Sequence, residues 1–219
     1  MLGTGSSSVF SLGAGARERL SECLALAVSR ARRSGEGALA ALSLPLDAGV
    51  DPSAVAASSR GPGEPWFVFE QPDRGRTALA GLGQAACLQA AGGERFASVG
   101  ERWRALSAGA VHEQLEGCEG AAPVAVGGFA FAPDGGGSPH WAGFEPASMI
   151  VPEVAIARAT RGGVLSVRMT LAALAEPDDL AEELLGRLER RLERLSARGL
   201  PLLDPSPAGR FQVASAMPP

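Results

Sequence analysis

The sequence predicts an α+β fold of antiparallel β-sheets flanked by helices, and three observations carry that reading. A hairpin-like pair of apolar runs occupies residues 65–90, and three further strand-like runs succeed one another at 123–132, 147–158 and 163–171. Residues with helical spacing of apolar positions bracket and interrupt these runs. With 46% hydrophobic residues in 219, the chain can fill a sizeable core.

The elements come in order. Residues 1–15 are Gly/Ser-rich and are expected to be a flexible N-terminus, ahead of a scaffold region spanning 16–199. In "ARERLSECLALAVSRARRSG" Leu20, Cys23, Leu24, Ala27 and Val28 share one helical face, and Gly35 is placed to stop the helix. "GALAALSLPLD" (37–47) reads as a short strand ending near Pro45, and "DPSAVAAS" opens a helix with Asp51 as N-cap and Pro52 at its first position. "PWFVFEQP", the turn "DRGR" and "TALAGLGQAACLQA" form the hairpin. Phe96, Val99, Trp103 and Leu106 predict an amphipathic helix, after which "HEQLEGCEG" reads as an acidic loop. A last helix is expected over 177–198, with Pro177, Asp178 and Asp179 at its start and arginines and Gly199 at its end. Residues 200–219 are Pro-rich and read as a linker.

Composition excludes several classes of function. Twenty basic against 24 acidic residues give a net charge of −4, so neither nucleic acid nor a membrane is expected as a partner. Every basic residue is arginine, and a chain without lysine has no side-chain amine to act as base or Schiff-base nucleophile. Cys23, Cys87 and Cys118 are odd in number and widely spaced, unlike a disulfide framework or a CxxC site, and a reducing cytoplasm is the expected setting. The N-terminus lacks the basic and apolar parts of a signal peptide, and no window approaches 18 uninterrupted apolar residues.

"GLGQAA" (81–86) matches G-x-G-x-x-A with Glu101 20 residues after Gly81, but its glycines lie inside an apolar run and are expected to mark a bulge or a close backbone approach. His112 and His140 are read as solvated loop residues without metal-ligand spacing, and "DGGGSPH" as a loop rather than a phosphate nest. Glu145 is a lone carboxylate with no visible catalytic partner. In "RLERRLERLSAR" the pairs Glu183/Arg187 and Arg190/Glu193 describe a solvated helix face.

The order "LSLPLD", "WFVFEQPD", "ALAGLGQAACLQA", "VAVGGFAFAPDG", "HWAGFEPASMIVPEVAIAR" and "GGVLSVRMT" resembles the N-terminal half of the isochorismate synthase branch of the chorismate-utilising enzymes, over residues 38–171. The resemblance implies two antiparallel sheets flanked by helices, of which this chain supplies part. In that picture Val124 and Val126 share one strand face, Gly127 and Gly128 permit close approach, Phe129 and Phe131 refill the opposite face, and Trp141 and Phe144 anchor the loop's return. Pro152 interrupts the next strand.

The resemblance also implies a reaction, the Mg²⁺-dependent conversion of chorismate to isochorismate in menaquinone or siderophore biosynthesis. A lysine base activates water for attack at C2, and a glutamate acid helps expel the C4 hydroxyl. Chorismate is the implied partner and Mg²⁺ the implied cofactor. The residues that use them are expected in a C-terminal half beyond Pro219, so no catalytic, cofactor-binding or metal position is assigned here and the chain alone is expected to be an inactive fragment that binds no Mg²⁺. Anthranilate synthases carry an "SFLLES"-like tryptophan-binding motif that "PWFVFEQP" lacks, while salicylate-forming members remain open. Two readings of other classes stand beside this one: a non-enzymatic binding or dimerisation module using helix 177–198, and a nucleotide-dependent enzyme built on "GLGQAA".

Overall fold

Helix α1 (Ala14–Ser34) buries Leu20, Cys23, Leu24, Ala27, Val28 and Ala31 along one stripe, and Gly35 ends it in the left-handed region with its N–H on the Ala31 carbonyl. The computed structural model to which it belongs describes residues 9–136, 139–141 and 143–198. Order begins earlier than the expected flexible stretch to residue 15 allows: Phe10 is buried in the main core and Leu12 packs against it, so apolar contact fixes this segment ahead of the helix. Residues 1–8 of that stretch and the linker 200–219 lie outside the described residues.

Strand β1 (Ala38–Leu46) comes next, with seven consecutive buried positions that mark a central strand. Helix α2 (Pro52–Ser59) is capped as expected, the Asp51 carboxylate accepting the N–H groups of Ser53 and Ala54. Strands β2 (Trp66–Gln71) and β3 (Thr77–Leu82) form the predicted hairpin.

The run 77–90 is two strands rather than one. After β3 the chain passes Gly83, at φ +72°, and resumes as β4 (Ala86–Ala90) in a second sheet. Its partner run is divided at the same level, into β7 (Ala147–Val151) and β8 (Val154–Arg161). Leu82 pairs with Val154 and Ala86 with Val151, so three residues, Gly83 to Ala85, face two, Pro152 and Glu153. That one-residue excess is a β-bulge, and it carries both strands from one sheet to the other. Gly81 adds the close approach, since a Cβ there would lie 2.7 Å from Pro152 Cγ. Both roles expected for the glycines of "GLGQAA" are present, and a strand rather than a helix comes after them, which removes the dinucleotide geometry.

The larger sheet has the order β2-β3-β8-β9-β1-β5, with β9 spanning Val164–Ala175 and β5 spanning Val111–Gln114. All pairings are antiparallel except β1 with β5. Strand β5 corrects the reading of 112–120 as loop: Leu42 and Ser43 of β1 align with Glu113 and Gln114, a partnership made by distant sequence. The smaller sheet is β4-β7-β6, with β6 at Val126–Phe129. Helix α3 (Arg95–Ala108) packs on it through Val99, Trp103 and Leu106, whereas Phe96, expected on that face, is exposed.

Helix α4 (Ala181–Glu193) is shorter than the 177–198 predicted. Its expected first turn is diverted: the Asp179 carboxylate accepts the Glu176 N–H, and Arg32 donates to the carbonyls of Pro177 and Asp179. At the other end Ser196 exchanges hydrogen bonds with the α2 serines Ser58 and Ser59. Leu184, Leu185, Leu188, Leu192 and, past the helix, Leu195 are buried in the main core with α1 and β9. The leucine face that a dimerisation module would need is therefore used inside the fold. Among the described residues no helix is long and apolar enough to cross a membrane.

Candidate functional site

The smaller sheet has a covered face and an open one. Leu88, Ala147 and Met149 lie under α3, so by strand alternation Gln89 and Ser148 face away from it. There, with Phe131, Trp141 and Phe144 of the loop that extends from β6, they line a cleft of about 580 Å³. The cleft rests on a buried arginine. Arg95, 4% exposed, donates to the carbonyls of Gly92 (3.0 Å), Ala130 (2.8 Å) and Phe131 (3.0 Å), while its guanidinium lies 4.4 Å from the Phe96 ring centroid. Phe96 in turn stacks on Phe129 at 4.7 Å. The Ala130 N–H donates to the Pro146 carbonyl (2.7 Å) and the Gly92 N–H to that of Pro133 (2.8 Å), which closes the base of the loop.

Sequence reading places Trp141 and Phe144 as internal anchors and Phe131 on a strand face. The structure corrects this. Trp141 and Phe144 meet edge to face at 5.9 Å, yet they and Phe131 are strongly exposed, because the chain leaves the sheet at Phe129 and nothing among the described residues covers the loop beyond it. Glu145 lines the same cleft and is the one charged residue among the described residues that do. Rings and a single carboxylate suit an apolar or aromatic surface or a cation; a dianion needs paired cationic donors, and the described residues of this cleft supply none.

The other singled-out residues do not converge here. Cys23 is buried and its thiol is pushed up to about 11 by that burial, with the carboxylates of Glu113 and Glu22 adding to the effect. Burial raises the Cys118 thiol as well. Neither thiol is poised as a nucleophile. In "DGGGSPH" the glycines precede a short 3₁₀ turn, Pro139–Trp141, rather than a helix, with residues 137 and 138 outside the described set; His140 sits exposed on that turn.

His112 is not a solvated loop residue. It is half-buried on β5 with Nε2 3.0 Å from Ser43 Oγ, which lies 2.8 Å from Thr170 Oγ1. Ser43 is fully buried, so no substrate reaches this Ser–His pair and its role is structural. Burial lowers the His112 pKa below its ordinary 6.5. The unfolded chain therefore takes up a proton first as pH falls through 6.5, and stability that is complete above that value declines until the lower folded pKa is reached. Urea midpoints from about pH 8 to 5 should show this decline, and His112→Gln should flatten it.

Comparison with known proteins places this arrangement. The chain is 34% identical over 132 residues to a protein named salicylate biosynthesis isochorismate synthase, from Pseudomonas aeruginosa. That alignment covers 60% of this chain and 26% of the relative, so the match spans about a quarter of the relative's length. Residues 25–210 match the sequence model of the family described as chorismate binding enzyme, and the fold, antiparallel-dominated sheets flanked by helices, agrees with it. Since the match takes in α1 from its middle turns, both sheets and all of α4, the chain belongs to the chorismate binding enzyme family.

Proposed function

We propose that this chain is the amino-terminal scaffold of an isochorismate-forming enzyme, and that the Mg²⁺-dependent chemistry on chorismate is done by polypeptide outside these 219 residues. The observation that carries the reading is the 34% identity to an isochorismate synthase over a stretch equal to only 26% of that protein. The chain's own side chains support the division of labour. It has no lysine to serve as base, and among the described residues no three His, Cys, Asp or Glu side chains gather where they could hold a metal ion. These residues do not fit Mg²⁺, and no step of the reaction is routed through them.

What the chain supplies is support: a six-stranded sheet buried under α1, α2 and α4, and a second sheet set by the bulge at Gly83. The relative's printed name supports a salicylate-directed route over menaquinone synthesis. Incubated with chorismate and MgCl₂, the 219-residue chain should form no isochorismate by chromatography. The reading frame after the Pro219 codon should continue with a lysine and several glutamates in glycine-rich strands. Turnover by the chain alone would place the chemistry inside it and end this reading.

A further inference from the structure

We infer that the smaller sheet and α3 form a hinged unit that opens on its own about the bulge at Gly83, while the six-stranded sheet and its helices stay folded. The inference stands apart from any assignment of the reaction. Its first support is the division of the buried side chains. The six-stranded sheet shares one continuous core with α1, α2 and α4, in which Leu20, Leu42, Ile156, Met169, Leu171 and Leu188 are at most 1% exposed. Between the smaller sheet and α3, by contrast, the buried cluster is Leu88, Val99 and Ala147. A third cluster joins the two parts, with Leu39 and Ala41 of β1 and Ala172 of β9 against Ala86 and Val151. Ala41, Ala86 and Ala172 each bury a single methyl group, and Trp103 and Leu106 are half-buried beside them, so this joint is held far more weakly than the main core.

The second support is the backbone. Strand β6 is four residues long and β4 and β7 are five each, and β6 carries the adjacent glycines Gly127 and Gly128, which lose more chain entropy on ordering than other residues. On the open face Gln89 and Gly128 are exposed, so burial holds the sheet from one side. Between the Leu82–Val154 and Ala86–Val151 pairs the ladder is interrupted by the bulge, and Gly83, at φ +72°, can change its dihedrals at little cost. The smaller sheet can therefore come away without unpairing β3 from β8. The other connections, 109–110 and 122–125, contain no helix or strand. A part with a small core and short ladders opens at lower free energy than the body it is attached to, and the aromatic cleft rides on that part.

Amide hydrogen exchange of the whole chain, followed in rising urea below the unfolding transition, tests this. The amides of α3, β4, β6 and β7 are expected to exchange through one shared opening and to be at least about tenfold less protected than those of β1, β8 and β9. Val99→Ala, inside the unit, should speed exchange in both parts, because that side chain is released in either opening. Ile156→Val, in the main core, should speed β1, β8 and β9 roughly two- to tenfold and leave the smaller sheet and α3 unchanged, because their opening does not release Ile156. Equal protection of the two sheets, or an Ile156→Val effect of the same size in both, overturns the inference and makes the molecule one cooperative unit. Exchange of the smaller sheet residue by residue, without a shared opening, overturns it as well.

Discussion

Replacing Glu64 by alanine is expected to destabilise the fold by about 3–5 kcal/mol, the cost of stranding a buried cation. Glu64 lies in the turn before β2, and one of its carboxylate oxygens meets Arg191 Nη2 on the inner face of α4. Arg191 is 2% exposed, among leucines that close the core. Its Nε makes no hydrogen bond among the described residues, so the carboxylate is what offsets its charge. The other Glu64 oxygen accepts the Gly61 N–H at 2.7 Å, and the same substitution releases the loop that leads from α2 to β2.

A double substitution serves as the control. Removing both charges, with Arg191→Met and Glu64→Ala together, should recover most of the loss, because an apolar residue at 191 has no desolvation penalty to offset. Urea denaturation of the two single variants and the double variant gives the coupling directly. A Glu64→Ala loss below about 1 kcal/mol would mean that water reaches Arg191 and that the pair behaves like a surface one.

Which features could be read from sequence depends on how local their causes are. The stripe of Leu20, Cys23, Leu24, Ala27 and Val28 and the Asp51 cap are each decided within a few residues and are present as read, as is the β2–β3 part of the hairpin expected over 65–90. Strand β5 has no such local cause. "VHEQ" becomes a strand only because Ala40 to Ser43, some 70 positions earlier, offer it a parallel edge. The same holds for the start of α4, which Arg32 and Asp179 delay by binding backbone that a helix would have used. Arg95 and Arg191 carry no local sign of burial, since arginine is read as a surface residue unless its partner is known. The cleft was hidden for a related reason. Its rings, Phe131, Trp141 and Phe144, were visible in sequence, but whether rings are core or surface depends on what covers them, and spacing does not encode that.

The two adjacent glycines of β6 should respond oppositely to the same substitution. A Cβ on Gly127 would sit 1.9 Å from the Ser148 carbonyl oxygen and 2.8 Å from Met149 Cα. Those are backbone atoms of the paired strand β7, with Met149 directly opposite Gly127 in the register, so no side-chain rotation relieves the clash. Around Gly128 nothing lies within 4 Å, because that position faces the open cleft. Both sites share one strand and lose one glycine to alanine, so differences in intrinsic propensity largely cancel. Gly127→Ala should cost roughly 3 kcal/mol, the upper end of ordinary overpacking, since backbone must move. Gly128→Ala should stay within about 0.5 kcal/mol. The consequence reaches the cleft: separating β6 from β7 drags away the Ala130 and Phe131 carbonyls that Arg95 holds. The Trp141 contribution to fluorescence, isolated by subtracting a Trp141→Phe background, should therefore change in Gly127→Ala and not in Gly128→Ala. Equal melting of the two variants would show slack in the strand pair, and the paired glycines would then owe nothing to the close approach of β7.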